Sequence, residues 1–333
     1  MTTITVPLIQ NLQVGFSTIF RSAWRDTPQY WDRVCVSLPS STRINTYGWM
    51  TRLNKMREWV GPRVLQNLST KQAFLTNRKF EMSLGVPRDD IEDDQLGIFN
   101  LRAAEMGRGS AYLWNQLFFQ ALLAADASTL SLAAAHVDSS SPSQGKAFDD
   151  VDFFHATDHD LGGGVIKNKG SEELTPDGWE TVKETMRNYK GEDGRHLGVL
   201  GSGKPLIVAP ATGGYERALK HLFGRSLVAG GEDNTFKGEA DWILIPELPS
   251  TIGWYVFDNS APIKAMIMQK RKEPVLISKT AVTDDNVFWL DEFVWGADGR
   301  GECGYGPFFL AYHATGTSPD GREVLLTDEV PAS

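Results

Sequence analysis

The glycine-rich stretch at residues 198–205 is the most conspicuous sequence pattern that could bind a ligand. Its letters, GVLGSGKP, fit a phosphate-binding P-loop as far as Lys204. A P-loop needs a Ser or Thr after the lysine to hold magnesium, and a helix whose N-terminus faces the phosphates. Pro205 has no hydroxyl group and opens an apolar run that is typical of a strand. The pattern therefore predicts a tight turn before a strand, and not a nucleotide site.

A second candidate is the stretch at 153–160, which is rich in histidine and aspartate. On a helix, His155 and His159 would share a face, and together with Asp158 they could bind the metal of a metal-dependent hydrolase. The aromatic residues before His155 and the glycines after Leu161 instead favour a strand that runs into a loop. The other four histidines are scattered, while a metal site needs further ligands and supporting hydrogen bonds. Structural hydrogen bonding is the simpler interpretation, and the hydrolase is kept as an alternative.

Five carboxylates crowd between positions 89 and 94, just before an apolar periodic run. Carboxylates near a helix N-terminus bind its free N–H groups and complement the helix dipole, so they predict a helix start. A calcium loop is the alternative, although the spacing lacks the glycine and the distal glutamate of a known loop. No serine or cysteine nucleophile stands beside a base motif, and no carboxylate pair stands out as acid and base. The sequence therefore predicts no enzyme activity and no cofactor.

The composition is that of a globular protein with an acidic balance. The 333 residues carry a formal net charge of −9, whereas a sequence-independent nucleic-acid binder needs Lys and Arg in excess. Neither a run of 18 apolar residues nor a signal-peptide pattern is present, which predicts a soluble product made in a cytoplasm, without membrane contact. Cys35 and Cys303 form no metal spacing, so two buried free thiols in a reducing compartment are expected.

The alternating stretch at 79–86 predicts a strand whose apolar face has no local cover. We interpret it as half of a hairpin over about 63–88, with its tip at 76–79. An isolated hairpin is marginal in water, so its apolar side chains are expected to pack on another subunit. The residues predicted to lie at that inter-subunit contact are Phe74, Leu75, Asn77, Arg78, Lys79, Phe80 and Met82.

Residues 1–45 are predicted to form an arm. Prolines at positions 7, 28 and 39 interrupt its apolar pieces, so no long element is expected there. Its aromatic side chains need a surface to lie on, and the predicted arm contacts are Phe16, Phe20, Trp24 and Trp31. A short helix over 49–60 follows, which Gly61 and Pro62 would end.

A very long helix is predicted over 94–126, because apolar residues recur there at helical spacing. It would be about 50 Å long at the usual rise per residue, which exceeds the size of a small domain. Such a helix would serve as a spine. The residues predicted to pack along it are Trp114, Leu117, Phe118 and Leu122.

The rest of the chain alternates helices and apolar strands, which is typical of a mixed α+β domain. Serine and glycine runs predict loops that project from the surface over 128–175. A helix over 176–189 would be capped by Thr175, with Pro176 at its first position, and another helix is predicted over 215–223. Strands are predicted at 205–210, 242–246, 253–257, 275–279, 287–295 and 308–315, with a glycine-rich link at 296–301.

Four phrases of the sequence carry a resemblance to a known family. They are MREWVG at 56–61, RVLQNLS at 63–69, VPRDDIEDDQLG at 86–97 and FVWGADGRGECGYGPFFLAYHAT at 293–315. In these phrases the chain resembles the major head subunit of Mu-like phages and prophages. The likeness is strong over about 47–126 and 274–316 and weaker between them. The family's phrase around His155 ends in proline, where this chain has Asp160.

The resemblance implies the tailed-phage major capsid fold, which is Hong Kong 97-like. Its parts would be an N-terminal arm at 1–45, a short helix and E-loop hairpin at 46–93, a spine helix of the peripheral domain at 94–126, an axial domain mainly at 127–273, and peripheral strands with a tail at 274–333. The final strands would return to the peripheral sheet, and the E-loop would lie over a neighbouring subunit.

The same resemblance implies a shell protein rather than an enzyme. The chain would assemble with itself into hexamers and pentamers of an icosahedral phage head, which encloses double-stranded DNA without binding it specifically. It would be located in the virion and assembled in the bacterial host cytoplasm, with portal, scaffold, maturation-protease and decoration proteins as partners. A cargo-holding nanocompartment shell of the same fold stays open as an alternative.

Overall fold

A long helix and two mixed sheets organise the computed structural model, which describes residues 6–50, 70–92, 98–133, 145–191, 194–224, 234–281 and 283–316. The α-helices of these residues are α1 (Val6–Asp26), α2 (Trp31–Val34), α3 (Arg88–Glu92), α4 (Ile98–Ala124), α5 (Leu130–Ala133), α6 (Pro176–Arg187), α7 (Tyr215–Leu219) and α8 (Asp285–Leu290). The strands are β1 (Cys35–Pro39), β2 (Ile44–Met50), β3 (Thr70–Thr76), β4 (Arg78–Pro87), β5 (His159–Asp160), β6 (Val165–Ile166), β7 (Lys169–Gly170), β8 (Leu206–Pro210), β9 (Asp241–Ile245), β10 (Trp254–Phe257), β11 (Met266–Lys279), β12 (Glu292–Tyr305) and β13 (Ala311–Ala314).

The first sheet has the strand order β1-β11-β12-β4 and packs against α4. Over residues 292–301 of β12 half-buried and buried residues alternate, as a strand with one covered face requires, whereas residues 302–305 are all buried. Gly301 of β12 lies so close to the Trp114 ring of α4 that a side chain there would collide with it. The predicted link at 296–301 is therefore wrong: its glycines lie within β12, where at Gly301 the missing side chain leaves room for the long helix.

Helix α4 is the predicted spine, observed over Ile98–Ala124. Trp114, Leu117, Phe118 and Leu122 are each at most 1% exposed. The Tyr305 hydroxyl of β12 donates a 2.7 Å hydrogen bond to the Ala121 carbonyl oxygen, which ties the helix to the sheet. The helix spans about 40 Å at the usual rise per residue.

The N-terminal segment forms helix α1, so the prediction of an arm without a long element is wrong. Pro7 lies in the first turn, where a helix tolerates proline, and Pro28 lies two residues beyond Asp26, the last residue of the helix. Phe16 stacks on Trp295 of β12 with ring centroids 4.6 Å apart. Gly107 of α4 meets the backbone of Phe20, so the two helices cross in close contact. The surface that the segment's aromatic residues need is supplied by the same chain.

The predicted hairpin between β3 and β4 does not form. β3 pairs antiparallel with β2, whereas β4 pairs antiparallel with β12 over ten residues. Asn77, the predicted hairpin tip, is buried, and its side-chain amide donates to the Ser40 hydroxyl and to the Thr42 carbonyl oxygen at 2.8 and 2.9 Å. The predicted helix over 49–60 is wrong at its start, because residues 49 and 50 end β2. Residues 51–60 lie outside the described residues.

The second sheet has the strand order β7-β13-β10-β8-β9 and is fully buried along β8, β10 and β13. Helix α6 covers it and begins as predicted, since the Gly178 N–H donates to the Thr175 hydroxyl oxygen and Pro176 is the first helical residue. Trp179 of this helix is fully buried against Phe223. The final strands were expected to return to the sheet that packs on α4. β13 instead belongs to the second sheet.

Two further expectations about the second half of the chain need correction. Residues 285–290 form helix α8, so the predicted strand over 287–295 begins only at Glu292. The described residues of the stretch at 128–175 do not simply project from the surface, since Phe153 and Phe154 are fully buried. The domain boundary predicted at 273/274 falls inside β11. Among the described helices, none combines the length and the apolar character needed to cross a bilayer.

Candidate assembly surfaces

Arg78 was predicted as a cation on an exposed tip, and it is instead the centre of a buried polar contact. Its guanidinium donates to both carboxylate oxygens of Glu302, one of them at 2.9 Å, and to Gln120 Oε1 at 2.5 Å. Burial raises the pKa of the Glu302 carboxyl, against the opposing effect of Arg78. The contact joins β4, β12 and α4, so Arg78 holds the start of β4 on its own subunit.

The other predicted contact residues of this region divide into two groups. Phe80 lies under the Arg78 guanidinium at 5.4 Å and packs on the core, and Leu75 packs over Gly304. The expectation that Phe80 depends on a neighbouring subunit for cover is therefore wrong. Phe74 is 67% exposed and Met82 38% exposed. Together with the exposed Lys79, these two side chains remain available to a neighbour.

The antiparallel pair of strands that was predicted for β3 and β4 is formed instead by β2 and β3, and we call this pair the β2–β3 hairpin. It pairs seven residues on each strand, and residues 51–69 connect its far end. The Tyr47 hydroxyl donates to Gln269 Oε1 of β11 at 2.7 Å, which anchors the hairpin to the first sheet. Ile44 is half exposed at the opposite end of β2. The hairpin therefore exposes Ile44 and Phe74 while Tyr47 holds it on the first sheet.

Three consecutive apolar side chains on helix α8 form the most exposed apolar patch among the described residues: Phe288, Trp289 and Leu290 are 72%, 75% and 69% exposed. We call these three residues the knob. The Asn286 side-chain amide donates to the carbonyl oxygens of Lys279 and Glu292, at 3.1 and 2.6 Å, and so clamps the ends of β11 and β12 together. The knob is therefore held firmly. Sequence reasoning missed it because its apolar run was assigned to a strand.

The predicted arm contacts all lie against the same chain. Phe16 and Phe20 are buried, and Trp24 packs between them and the core. Trp31 is nearly buried, and the Lys270 ammonium group lies between its ring and that of Trp114, at 4.3 and 4.9 Å from the two centroids. A cation over two indole faces fixes the segment after α1 to the spine helix.

The histidine-rich stretch does not assemble a metal centre. His159 is fully buried with Nδ1 2.7 Å from Asp149 Oδ2 and Nε2 3.2 Å from the Phe153 carbonyl oxygen, so both ring nitrogens are engaged. His155 is half-buried, with Nδ1 3.7 Å from Oδ2 of the exposed Asp158. Within the described ranges, no three His, Cys, Asp or Glu side chains are grouped closely enough to hold a metal ion. The simpler interpretation, structural hydrogen bonding, describes this geometry.

The P-loop-like stretch is a turn before β8, as predicted. The Leu200 N–H donates a 2.8 Å hydrogen bond to Asp258 Oδ2, and Leu200 itself has a positive φ of 55°. Cys35 and Cys303 are buried free thiols with sulfur atoms 4.0 Å apart. They lie on β1 and β12, which flank β11 on either side.

A buried ionic cluster that the sequence did not reveal joins the spine helix to the second sheet. Asp126 lies just after α4, with Oδ2 2.9 Å from His313 Nδ1 and Oδ1 accepting from Lys169 Nζ at 2.8 Å. Burial alone would raise the pKa of Asp126, but hydrogen bonds from His313, Lys169 and Ser128 outweigh it and hold that pKa far below its ordinary value. The three ionisable residues are distant in sequence, so no local pattern points to them.

Comparison with known proteins identifies a family whose model matches this chain. The model of the family described as "Mu-like prophage major head subunit gpT" matches residues 9–164, 165–248 and 249–319. The major capsid protein of Escherichia phage Mu is 27% identical over 94% of this chain and 75% of the relative. A Mu-like prophage FluMu major head subunit of Haemophilus influenzae is 24% identical over 95% of this chain and 76% of the relative.

A solved structure supports the same assignment. A chain from the procapsid of bacteriophage JBD30 superposes with a TM-score of 0.55 at 26% identity, over 96% of this chain and 79% of that one. The tailed-phage capsid fold predicted from the sequence is thereby confirmed, as is the prediction of a shell protein rather than an enzyme. The chain belongs to the Mu-like prophage major head subunit gpT family.

Proposed function

We propose that this chain is the major capsid protein of a Mu-like phage or prophage, and that it assembles into hexamers and pentamers of an icosahedral head that encloses double-stranded DNA. The observation that carries the proposal is the family match, which extends over 9–319 and so includes both sheets, the spine helix and the β2–β3 hairpin. The chain would be a virion component that assembles in the bacterial host cytoplasm.

The distribution of apolar side chains supports assembly. The two hydrophobic clusters of the described residues are closed by the chain itself. Large apolar side chains nevertheless remain exposed, among them Phe74 on β3 and the knob on α8. Exposed apolar patches on a stable subunit mark interaction surfaces. We assign the E-loop role to the hairpin together with residues 51–69, in place of the predicted β3–β4 hairpin.

The net charge supports a shell whose subunits do not bind the enclosed DNA tightly. A formal net charge of −9 opposes sequence-independent binding to phosphate. Enclosed DNA would therefore be retained by the closed shell rather than by contacts with each subunit. Portal, scaffold and maturation-protease proteins, and a decoration protein, are the partners that such a head would use.

The two alternatives have less support. The nanocompartment shares the fold, but the family match favours a phage head. The hydrolase has less support because both ring nitrogens of His159 are already hydrogen-bonded within the chain.

Expression of the chain alone and together with a scaffold protein, followed by sedimentation and electron microscopy, tests the proposal. Closed particles or five- and six-membered capsomers are expected. A monomer that keeps its full thermal stability at high micromolar concentration, with or without the scaffold, would contradict assembly.

A further inference from the structure

The two long helices that cover the first sheet carry an excess of positive charge, unlike the rest of the chain. Helices α1 and α4 together contain four arginines against one aspartate and one glutamate. The chain as a whole has 33 Lys and Arg against 42 Asp and Glu. The formal net charge therefore does not describe this layer of the molecule, which is basic within an acidic chain.

Helices α1 and α4 lie side by side and run in the same direction. Gly107 of α4 lies against the backbone of Phe20 and the side chain of Ala23. Further along both helices, the N–H of Tyr30, just beyond α1, donates to Asn115 Oδ1 of α4 at 2.9 Å. Because both helices also pack on the first sheet, their exposed side chains point away from that sheet.

Three arginines of this layer are exposed and form no ion pair with the residues that the structure describes: Arg21, Arg25 and Arg108. We call these three residues the arginine ridge. Arg21 and Arg25 lie one helical turn apart, about 6 Å along α1. Arg21 follows Phe20, and Arg108 follows Gly107, so both lie beside the contact between the helices. The ridge therefore extends across both helices.

The carboxylates near the ridge do not cancel its charge. Asp26 accepts a 3.4 Å hydrogen bond from the Ser22 hydroxyl, and Glu105 pairs with Arg102 at 2.9 Å. The acidic residues of α3 precede α4, whose first residue is about 14 Å from Gly107 along the helix. Charges that are more than about 10 Å apart on a surface are largely screened at 0.1 M salt. The layer thus keeps a local excess of positive charge.

The chemistry of the ridge fits the phosphate backbone of double-stranded DNA. DNA carries one negative charge per about 1.7 Å of its axis, and arginine contacts phosphate whatever the base sequence. An acidic protein segment would also seek apolar contacts. Val14 and Leu101 are exposed apolar residues of the layer, but each lies two helical turns before an arginine of the ridge. The ridge itself offers cations without an apolar surface.

We propose that the arginine ridge contacts the phosphate backbone of the enclosed DNA, weakly and independently of sequence, and that the α1–α4 layer faces the inside of the shell. The inference rests on the proposed function, since it requires a shell that holds DNA. Three phosphate contacts make a weak site on one subunit, but a shell repeats that site at every copy.

The first test measures binding of a short labelled DNA duplex to the soluble, unassembled subunit by fluorescence anisotropy at a series of salt concentrations. The logarithm of the binding constant is expected to fall with the logarithm of the salt concentration with a slope of about −2 to −3, because each phosphate contact contributes about −0.9. The triple variant Arg21→Gln, Arg25→Gln and Arg108→Gln should bind at least about tenfold more weakly at the lowest salt. Unchanged binding by this variant would overturn the inference.

A matched control removes three exposed cations outside the layer: Lys167→Gln, Lys204→Gln and Arg217→Gln. This control has the same net charge as the ridge variant, and its binding should stay close to that of the wild type. An equal loss in both variants would overturn the inference, because total charge rather than the ridge would then determine binding. Lysine at the three ridge positions should restore most of the binding, since phosphate contact needs a cation.

Folding of the ridge variant is checked by its unfolding curve. Glutamine is about as good a helix former as arginine, so the exposed substitutions should preserve the fold. If the triple variant is unstable, the three single variants give the same comparison.

A polyglutamate peptide tests the other class of partner. Binding of this peptide as tightly as the duplex, at the same salt concentration, would assign the ridge to an acidic protein segment and overturn the inference. Weaker binding of the peptide is expected.

The second test asks whether the layer faces the inside, and uses Arg25→Cys in a chain whose described cysteines are both buried. A maleimide on a polymer too large to enter a closed particle should label the free subunit but not the particle, whereas a small maleimide should label both. Equal labelling of subunit and particle by the large reagent would place the ridge outside and overturn the inference. Protection of the particle from both reagents would also overturn it, because another subunit would then cover the ridge.

The outcomes separate this inference from the proposed function. Particles that form normally from a subunit that does not bind the duplex would overturn the inference alone. Failure of the unmodified chain to form any particle would contradict the proposed function, and this inference with it.

Discussion

The spine helix and the knob use the same kinds of residue for opposite purposes. Trp114 on α4 is 1% exposed, while Trp289 on α8 is 75% exposed. Each tryptophan belongs to a run of four apolar or aromatic residues on a helix, at 111–114 on α4 and at 287–290 on α8. The difference lies in what the chain places over each helix: a sheet and α1 cover α4, whereas α8 connects the end of β11 to the start of β12 and leaves Trp289 exposed. Residue type alone therefore does not distinguish a core from an interface.

The largest expected effect is the loss of folding stability when the buried Trp114 is truncated. Trp114→Ala should lower the free energy of unfolding by about 3–5 kcal/mol, because it removes a large side chain from a packed site. Denaturant titration of the soluble subunit measures the change. A loss below about 1 kcal/mol would mean that the face of α4 toward the sheet is not packed as described.

The second largest loss of stability is expected when the contact between Arg78 and Glu302 is broken. Arg78→Ala leaves the Glu302 carboxylate buried without its cation, and the removal of one partner from such a pair costs about 3 kcal/mol. The matched control is Lys79→Ala, since the neighbouring lysine is exposed. Equal stability of the two variants in denaturant titration would show that Arg78 does not anchor β4.

The Asp126 cluster allows a pH test of the connection between α4 and the second sheet. The pKa of Asp126 is lowered in the folded chain, so its contribution is fully present above the ordinary carboxyl pKa and is lost as the pH falls through the lowered value. Asp126→Asn should cost about 1.5–3 kcal/mol at neutral pH, in the range for hydrogen bonds to charged groups.

The difference between wild type and Asp126→Asn should then shrink as the pH falls below about 4. Unfolding measured at neutral pH and at a series of acidic pH values gives the comparison. A difference that is independent of pH would show that the carboxylate charge does not stabilise the fold.

Sequence patterns were sufficient where structure is local. The capped start of α6 and the turn before β8 depend on neighbouring residues, and both are observed. The spine helix follows from its own periodicity, and the described part of it runs from Ile98 to Ala124. The overall fold was predicted from family phrases, and the family match supports it.

The patterns failed where pairing is distant in sequence. The alternation along β4 predicts a strand but does not name its partner, and β12 lies more than 200 residues away. The same limit hid the Asp126 cluster, because His313 lies 187 residues and Lys169 lies 43 residues from Asp126 in the sequence. The glycines of 296–301 were assigned to a link because glycine favours turns, whereas at Gly301 the strand needs the missing side chain to pass Trp114.

The smallest expected effect on folding is at the knob, and it completes the comparison with Trp114. Trp289→Ala should change the free energy of unfolding of the isolated subunit by less than about 0.5 kcal/mol, because an exposed side chain loses few contacts on truncation. Assembly should respond much more strongly, since the same contact would recur at every copy of a shell. Denaturant titration and particle yield, measured on one preparation, separate the two effects. A loss of subunit stability as large as that of Trp114→Ala would mean that the knob is covered by its own chain, and the distinction between core and interface drawn for these two tryptophans would be wrong.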